Sequence, residues 1–113
     1  MDTDRVRRQS IGEIAQAREE DPLYYALLYE TVADHAERRK PFRAEHLALA
    51  GEAHRAGHLV LAGAFAAPVD GALLVFRGDS AAVAEEFARQ DPYVRNGLVT
   101  SWRVREWNVV IGG

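Results

Sequence analysis

Four stretches of the chain are rich in aromatic, aliphatic and β-branched residues, a composition typical of β-strands. They cover residues 23–32, 59–65, 72–77 and 99–110. Between the first and second stretches, and again between the third and fourth, apolar residues recur at the spacing of an amphipathic helix. The pattern therefore predicts elements in the order β-α-β-β-α-β.

That order is typical of a ferredoxin-like α+β fold, in which a four-stranded antiparallel sheet carries helices on one face. We expect the first helix over residues 42–56, because Gly57 follows as a helix-ending glycine. We expect the second helix to begin after Asp79 or Ser80 and to end before Asp91-Pro92. The predicted inward-facing residues are Leu47, Ala50, Ala53 and His54 in the first helix, and Val83, Ala84 and Phe87 in the second.

The N-terminal residues differ in composition from the rest. Residues 1–22 are polar and charged, and within them Ser10 and Glu13 match a capping box that predicts a short helix. We therefore treat 1–22 as an extension and 23–113 as one domain. The extension has no apolar segment of a secretory signal, and no apolar run approaches the ~20 residues that span a bilayer. We expect a cytoplasmic protein without a membrane partner.

Composition narrows the possible chemistry. The chain has 113 residues, 48% hydrophobic and 27% charged, with a net charge of −3. This balance does not favour a nucleic-acid partner, which usually calls for a basic excess. The absence of cysteine excludes disulfides, thiolate metal sites and cysteine nucleophiles.

The predicted fold leaves one face of the sheet without helices. The strands supply Tyr, Leu, Val and Trp to both faces, so an uncovered face would be a large apolar patch. Two copies can bury such a patch by packing their sheets together around a two-fold axis. The pattern therefore predicts a homodimer.

One group of polar residues suggests acid–base chemistry. Arg43 and His46 are three apart on the first predicted helix, so they share a face, and Asp91 follows the second helix. If Asp91 meets His46, it fixes the imidazole tautomer and makes the ring a better general base. Arg39 and Arg43 could then bind an anionic substrate. Two structural interpretations stay open: His46 as a packing residue, and Asp91 as the cap of the turn that Pro92 begins.

Two other possibilities are weaker. His54 and His58 are four apart, a spacing that can share a metal on a helix, but Gly57 should end the helix between them and spacing places no third ligand. We therefore predict no metal site. The glycines form no phosphate-binding loop, and nothing in the sequence calls for a cofactor.

Several segments, taken in order, resemble the YciI-like family. They are Arg39-Lys40-Pro41-Phe42-Arg43-Ala44-Glu45-His46-Leu47, then Gly57 to Gly63, then Asp91-Pro92-Tyr93-Val94, Gly97-Leu98 and the strand from Trp102 to Trp107. The resemblance covers roughly residues 24 to 110. It implies a dimeric α/β barrel of ferredoxin-like units and a His–Asp pair, which falls on His46 and Asp91. Its relatives include muconolactone-isomerase-like proteins and a dehydrochlorinase of chlorinated-aromatic breakdown.

The leading hypothesis is a dimeric, cofactor-free enzyme of lyase, isomerase or hydrolase type. It would act on a small anionic, possibly aromatic-derived, metabolite. His46 would be the general base and Asp91 its partner, with Arg39, Arg43 and Tyr93 binding the substrate. The alternative is a non-catalytic ligand-binding protein on the same fold. A monooxygenase of the same barrel type would need His46 to face an apolar cavity instead of Asp91.

Overall fold

The computed structural model describes residues 22–113. The short helix predicted within residues 1–22 lies outside the described residues. The elements of the described part, in chain order, are β1 (Leu23–Thr31), α1 (His35–Arg38), a 3-10 turn (Lys40–Phe42), α2 (Arg43–Arg55), β2 (Leu59–Ala64), β3 (Gly71–Gly78), α3 (Ala82–Gln90), α4 (Pro92–Arg95) and β4 (Val99–Trp107).

The four strands form one antiparallel sheet in the order β2-β3-β1-β4. The two long helices, α2 and α3, follow β1 and β3 in the chain, so the predicted β-α-β-β-α-β order and the ferredoxin-like α+β class are confirmed. No helix within residues 22–113 is long and apolar enough to cross a bilayer.

Alternation along the central strand β1 separates the two faces of the sheet. Tyr25, Leu27 and Tyr29 are buried, whereas their neighbours are half-buried or exposed. Directly across the sheet, Leu27 is paired with Leu74 and with Val104, which puts these three side chains on the same face. This face carries the hydrophobic core.

Helix α3 closes the core over the buried face. Ala84 is fully buried and Phe87 is 5% exposed, as the pattern predicted. The Phe87 ring lies 5.2 Å from the ring of Phe76 on β3. Burial of each such large apolar side chain stabilises the fold by about 1.5–3 kcal/mol.

The prediction of which α2 residues face the core was wrong in part. Leu47 is 50% exposed and His54 is also exposed, whereas Ala50 and Ala53 pack against the core with Leu49. Leu49, Ala50 and Ala53 share one face with His46, because residues three, four and seven apart align on a helix. Leu47 lies about 100° round the axis from that face.

Two boundaries also differ from the prediction. The last strand ends at Trp107 and not at Val110, and the connection after β1 contains α1 and the 3-10 turn. Four- and three-residue helices are too short to show a hydrophobic period, so the pattern could not predict them.

The turn before β4 is a helix C-cap of the Schellman type. The Leu98 amide donates to the Tyr93 carbonyl at 3.0 Å, and the Gly97 amide donates to the Val94 carbonyl at 3.2 Å. Gly97 has a φ of 79°. Residues other than glycine adopt this left-handed conformation only at a cost in free energy. The turn thereby fixes α4, and with it Asp91 and Tyr93, against the end of the sheet.

Candidate functional site

Asp91 is a fully buried carboxylate between α3 and α4. It is the N-cap residue of α4, where its Oδ1 accepts a hydrogen bond from the Tyr93 amide at 3.0 Å and Pro92 occupies the first helical position. The structural role considered for Asp91 is therefore present. The Asp91 carboxylate also has hydrogen-bond partners among other side chains.

Two side chains donate to Asp91. The Tyr29 hydroxyl donates to Oδ2 at 2.7 Å, and His46 Nδ1 lies 2.9 Å from Oδ1. Burial and the negative charge of Asp91 raise the pKa of the Tyr29 hydroxyl, so the phenol keeps its proton and remains a donor. Since the carboxylate only accepts, Nδ1 of His46 carries the proton and Nε2 keeps a lone pair.

The His46 ring is held by aromatic contacts as well as by Asp91. It stacks on the Tyr93 ring with the centroids 4.0 Å apart and the planes 11° from parallel. The Phe87 ring meets it at 6.4 Å in an edge arrangement. The side chain is 15% exposed, so the imidazole is fixed in orientation yet still reaches the surface of the fold.

A cavity of about 290 Å³ opens beside His46. The predicted residues Arg39, Arg43, His46 and Tyr93 line it, and Asp91 lies behind His46. The small side chains of β2, from Ala62 to Ala64, form another part of the wall. All five residues singled out from the sequence therefore meet at one place.

The cavity is electropositive and its tyrosines are neutral. Burial raises the pKa of the Tyr93 hydroxyl, although the nearby charges of Arg43 and Arg39 act against that shift. Two guanidinium groups beside neutral phenols suit an anionic ligand, because arginine forms paired hydrogen bonds with carboxylates and similar oxyanions. By contrast, a wider groove between α2 and α3 is lined by Glu52, Asp79 and Glu86, which would repel an anion.

His35 was missed by the sequence argument. It is 3% exposed, lines the same cavity, and meets the Tyr93 ring edge-on at 5.1 Å. Burial, followed by the positive charge of Arg39, lowers the pKa of its imidazole. Its place on the four-residue helix α1 offered no periodic signal that could have identified it.

The other two histidines lie elsewhere. His54 Nδ1 is 2.8 Å from the carbonyl oxygen of Leu59, and His58 follows the end of α2 as an exposed residue. Within residues 22–113, no group of three or more His, Asp, Glu or Cys side chains is arranged to hold a metal ion.

Solved structures with the same fold include two bacterial proteins. The 5-chloro-2-hydroxyhydroquinone dehydrochlorinase TftG from Burkholderia phenoliruptrix, in complex with 2,5-dihydroxybenzoquinone, superimposes with a TM-score of 0.64 and 17% identity. The match covers 75% of this chain and 93% of that chain. A candidate antibiotic biosynthesis monooxygenase from Bacteroides thetaiotaomicron gives a TM-score of 0.55 and 12% identity, covering 85% and 96% of the two chains.

At these identities the two structures establish the fold alone. No protein of curated function matches the sequence. The model of the YCII-related domain matches residues 23–108, which is most of the chain and includes every residue of the cavity. The chain therefore belongs to the YCII-related family, as the order of its motifs indicated.

Proposed function

We propose that this protein is a cofactor-free enzyme that removes a proton from a small anionic ring compound, in a reaction of lyase, isomerase or hydrolase type. His46 is the general base and Asp91 fixes its tautomer. The observation that carries the proposal is the 2.9 Å contact between His46 Nδ1 and Asp91 Oδ1 at the wall of a cationic cavity.

The chemistry follows from the tautomer. The lone pair of His46 Nε2 accepts a proton from the substrate, and the electron pair left behind moves toward a substrate oxygen. Arg39 and Arg43 stabilise the negative charge that develops there, an interaction that is strongest in a site shielded from water. The imidazolium that forms is stabilised by its hydrogen bond to the Asp91 carboxylate.

The size of the cavity supports a small substrate. The cavity has a volume of about 290 Å³. Ligand sites commonly have volumes of about 300–1000 Å³, so this one is at the lower end. A single ring with a few oxygen substituents fits this space. The compound bound to the dehydrochlorinase, 2,5-dihydroxybenzoquinone, belongs to that class and is a suitable probe.

The alternative proposal is a non-catalytic ligand-binding protein with the same cavity. It needs the arginines but has no use for an oriented imidazole. The His46–Asp91 contact therefore favours the enzyme over the binding protein. It also argues against the monooxygenase interpretation, in which His46 faces an apolar cavity.

Binding and turnover of the probe distinguish these proposals. We expect 2,5-dihydroxybenzoquinone to raise the Tm of the wild-type protein, and His46→Gln to abolish turnover of those hydroxylated or chlorinated ring acids that the wild type converts. His58→Gln is the matched control, because His58 is exposed and lies outside the cavity. Binding of the probe by both proteins, without turnover by the wild type of any ring acid that binds, would favour the non-catalytic alternative.

We also propose that the protein is a homodimer through the open face of the sheet. Leu61 is 63% exposed and Trp107 is 47% exposed on this face, and the following Val110 and Ile111 are 88% and 89% exposed. These side chains border a shallow apolar depression of about 260 Å³. A second copy would remove this surface from water.

Sedimentation tests the dimer directly. At low micromolar concentration we expect a species of about twice 12.6 kDa, and Leu61→Lys should shift it toward the monomer. Lys is tolerated on an exposed strand, so this variant should fold. A wild-type protein that sediments as a clean monomer would contradict the packing argument.

A further inference from the structure

The cavity contains a buried polar group that the proposed reaction does not use. His35 is 3% exposed, yet among the described residues its Nδ1 has no hydrogen-bond partner. No hydrogen bond of Nε2, the other ring nitrogen, is found within residues 22–113 either, although most buried polar groups in proteins are paired. His35 is also one of the residues that line the cavity beside His46.

The two imidazoles share the Tyr93 ring. His46 stacks on it at 4.0 Å, and His35 meets it in a T-shaped arrangement at 5.1 Å. Arg39 and Arg43 line the same cavity. A ligand that places an anionic oxygen on the arginines would therefore have both imidazoles within the reach of its other substituents.

The surroundings of His35 favour its neutral form more strongly than water favours the neutral form of a surface histidine. Burial lowers its pKa, and the positive charge of Arg39 lowers it further, while Asp91 acts in the opposite direction. The ring therefore stays neutral at pH 7, with one N–H donor and one lone pair. Because Nδ1 is closed off from solvent, Nε2 is the ring nitrogen through which this side chain can reach a ligand.

We infer that His35 is a ligand-contacting residue, and that its neutral imidazole hydrogen-bonds an uncharged hydroxyl or carbonyl oxygen of the ligand. This inference rests on the proposed function and narrows its substrate class. The ligand carries an anionic oxygen for Arg39 and Arg43 and a second, uncharged oxygen for His35. An anionic ring that lacks the second oxygen would leave the buried imidazole unpaired and would bind more weakly.

Three substitutions of His35 separate this role from packing. His35→Phe keeps a flat ring against Tyr93 and removes both nitrogens. His35→Gln places an amide near the position of Nε2, whereas His35→Asn reaches only the position of Nδ1. We expect the Kd for 2,5-dihydroxybenzoquinone to rise about tenfold or more in the Phe and Asn variants, and Gln to restore much of the affinity.

The Tm of the ligand-free protein shows whether a loss of affinity in His35→Phe could come from a damaged fold. If His35 serves the ligand, His35→Phe should leave the Tm of the ligand-free protein unchanged or raise it, because an unpaired buried nitrogen is removed. If His35 is only a packing residue, His35→Phe should change the Tm and the Kd no more than the matched variant His58→Phe outside the cavity does. The ring ¹⁵N resonances of His35 in the wild-type protein give a check that needs no variant, since they should shift when the probe saturates the site.

The outcomes separate this inference from the proposed function. If the wild-type protein does not bind the probe, both are wrong. If it binds the probe and His46→Gln or Arg43→Leu weakens binding, but His35→Phe binds equally well, only the role of His35 is wrong. Unchanged His35 ring resonances in the saturated wild-type protein would overturn that role even if a variant failed to fold.

Discussion

Tyr29→Phe removes one oxygen atom and, with it, the only hydrogen bond that Asp91 Oδ2 makes within the described residues. The bond is 2.7 Å long, and both residues are buried, with Tyr29 4% exposed and Asp91 0% exposed. Water is therefore poorly placed to replace the lost hydroxyl. The substitution leaves a buried carboxylate oxygen unpaired, which is the more destabilising outcome for such a group.

The magnitude follows from the charge on the acceptor. Hydrogen bonds to charged groups contribute about 1.5–3 kcal/mol, compared with about 1 kcal/mol for neutral pairs. We therefore expect Tyr29→Phe to lower the free energy of unfolding by about 2 kcal/mol. For a domain of this size that corresponds to a fall in Tm of roughly 8–16 °C.

Tyr25→Phe is the matched control. Tyr25 lies on the same strand and the same face of the sheet and is similarly buried at 6% exposure, but no hydrogen bond of its hydroxyl is found within residues 22–113. Urea unfolding and thermal unfolding of the two variants, followed by circular dichroism, give the comparison. If Tyr25→Phe and Tyr29→Phe lower stability equally, the hydroxyl bond to Asp91 does not stabilise the fold and the reasoning is refuted.

Three further predictions concern charge, pH and backbone. Arg43→Leu should raise the Kd for 2,5-dihydroxybenzoquinone about tenfold or more by calorimetry, whereas Arg55→Leu, at the far end of α2, should leave it unchanged. Because the pKa of His35 is lowered from 6.5 by folding, the unfolded chain binds its proton first on acidification. The free energy of unfolding, measured with urea, should therefore decrease as the pH is lowered below about 6.5. The part of this decrease that is due to His35 should be absent in His35→Phe. Gly97→Ala should lower the free energy of unfolding by about 1–2 kcal/mol, because alanine is strained in a left-handed conformation. Gly63 has open space around its Cβ position and does not have a left-handed backbone conformation, so Gly63→Ala should have little effect on stability. Equal effects of the two substitutions would contradict the strain argument.

The family resemblance and the local chemistry of the sequence already pointed to the site. Arg43 and His46 share a helix face by their spacing alone, and Asp91-Pro92 marks the end of the second helix. The 2.9 Å contact in the structure agrees with the expected His46–Asp91 pairing. Whether the pair catalyses a reaction stays a prediction that the kinetic experiments test.

The sequence by itself determined the order of the elements, because period-two and helical hydrophobic patterns are local properties of about 6–15 residues. It did not determine which side of α2 faces the sheet. The prediction that Leu47 faces inward is wrong for that reason. A helix with many alanines presents apolar surface on several sides, so its rotation is set by what packs against it.

Only the tertiary structure brought Tyr29 and His35 to the site. Tyr29 is 62 residues from Asp91 in the chain, and a strand tyrosine has the same pattern whether its hydroxyl meets a carboxylate or water. His35 lies on one helical turn, and the packing of that turn beside Tyr93 buries its ring. Contacts between distant segments depend on how the helices pack on the sheet, and no local period in the chain encodes that packing.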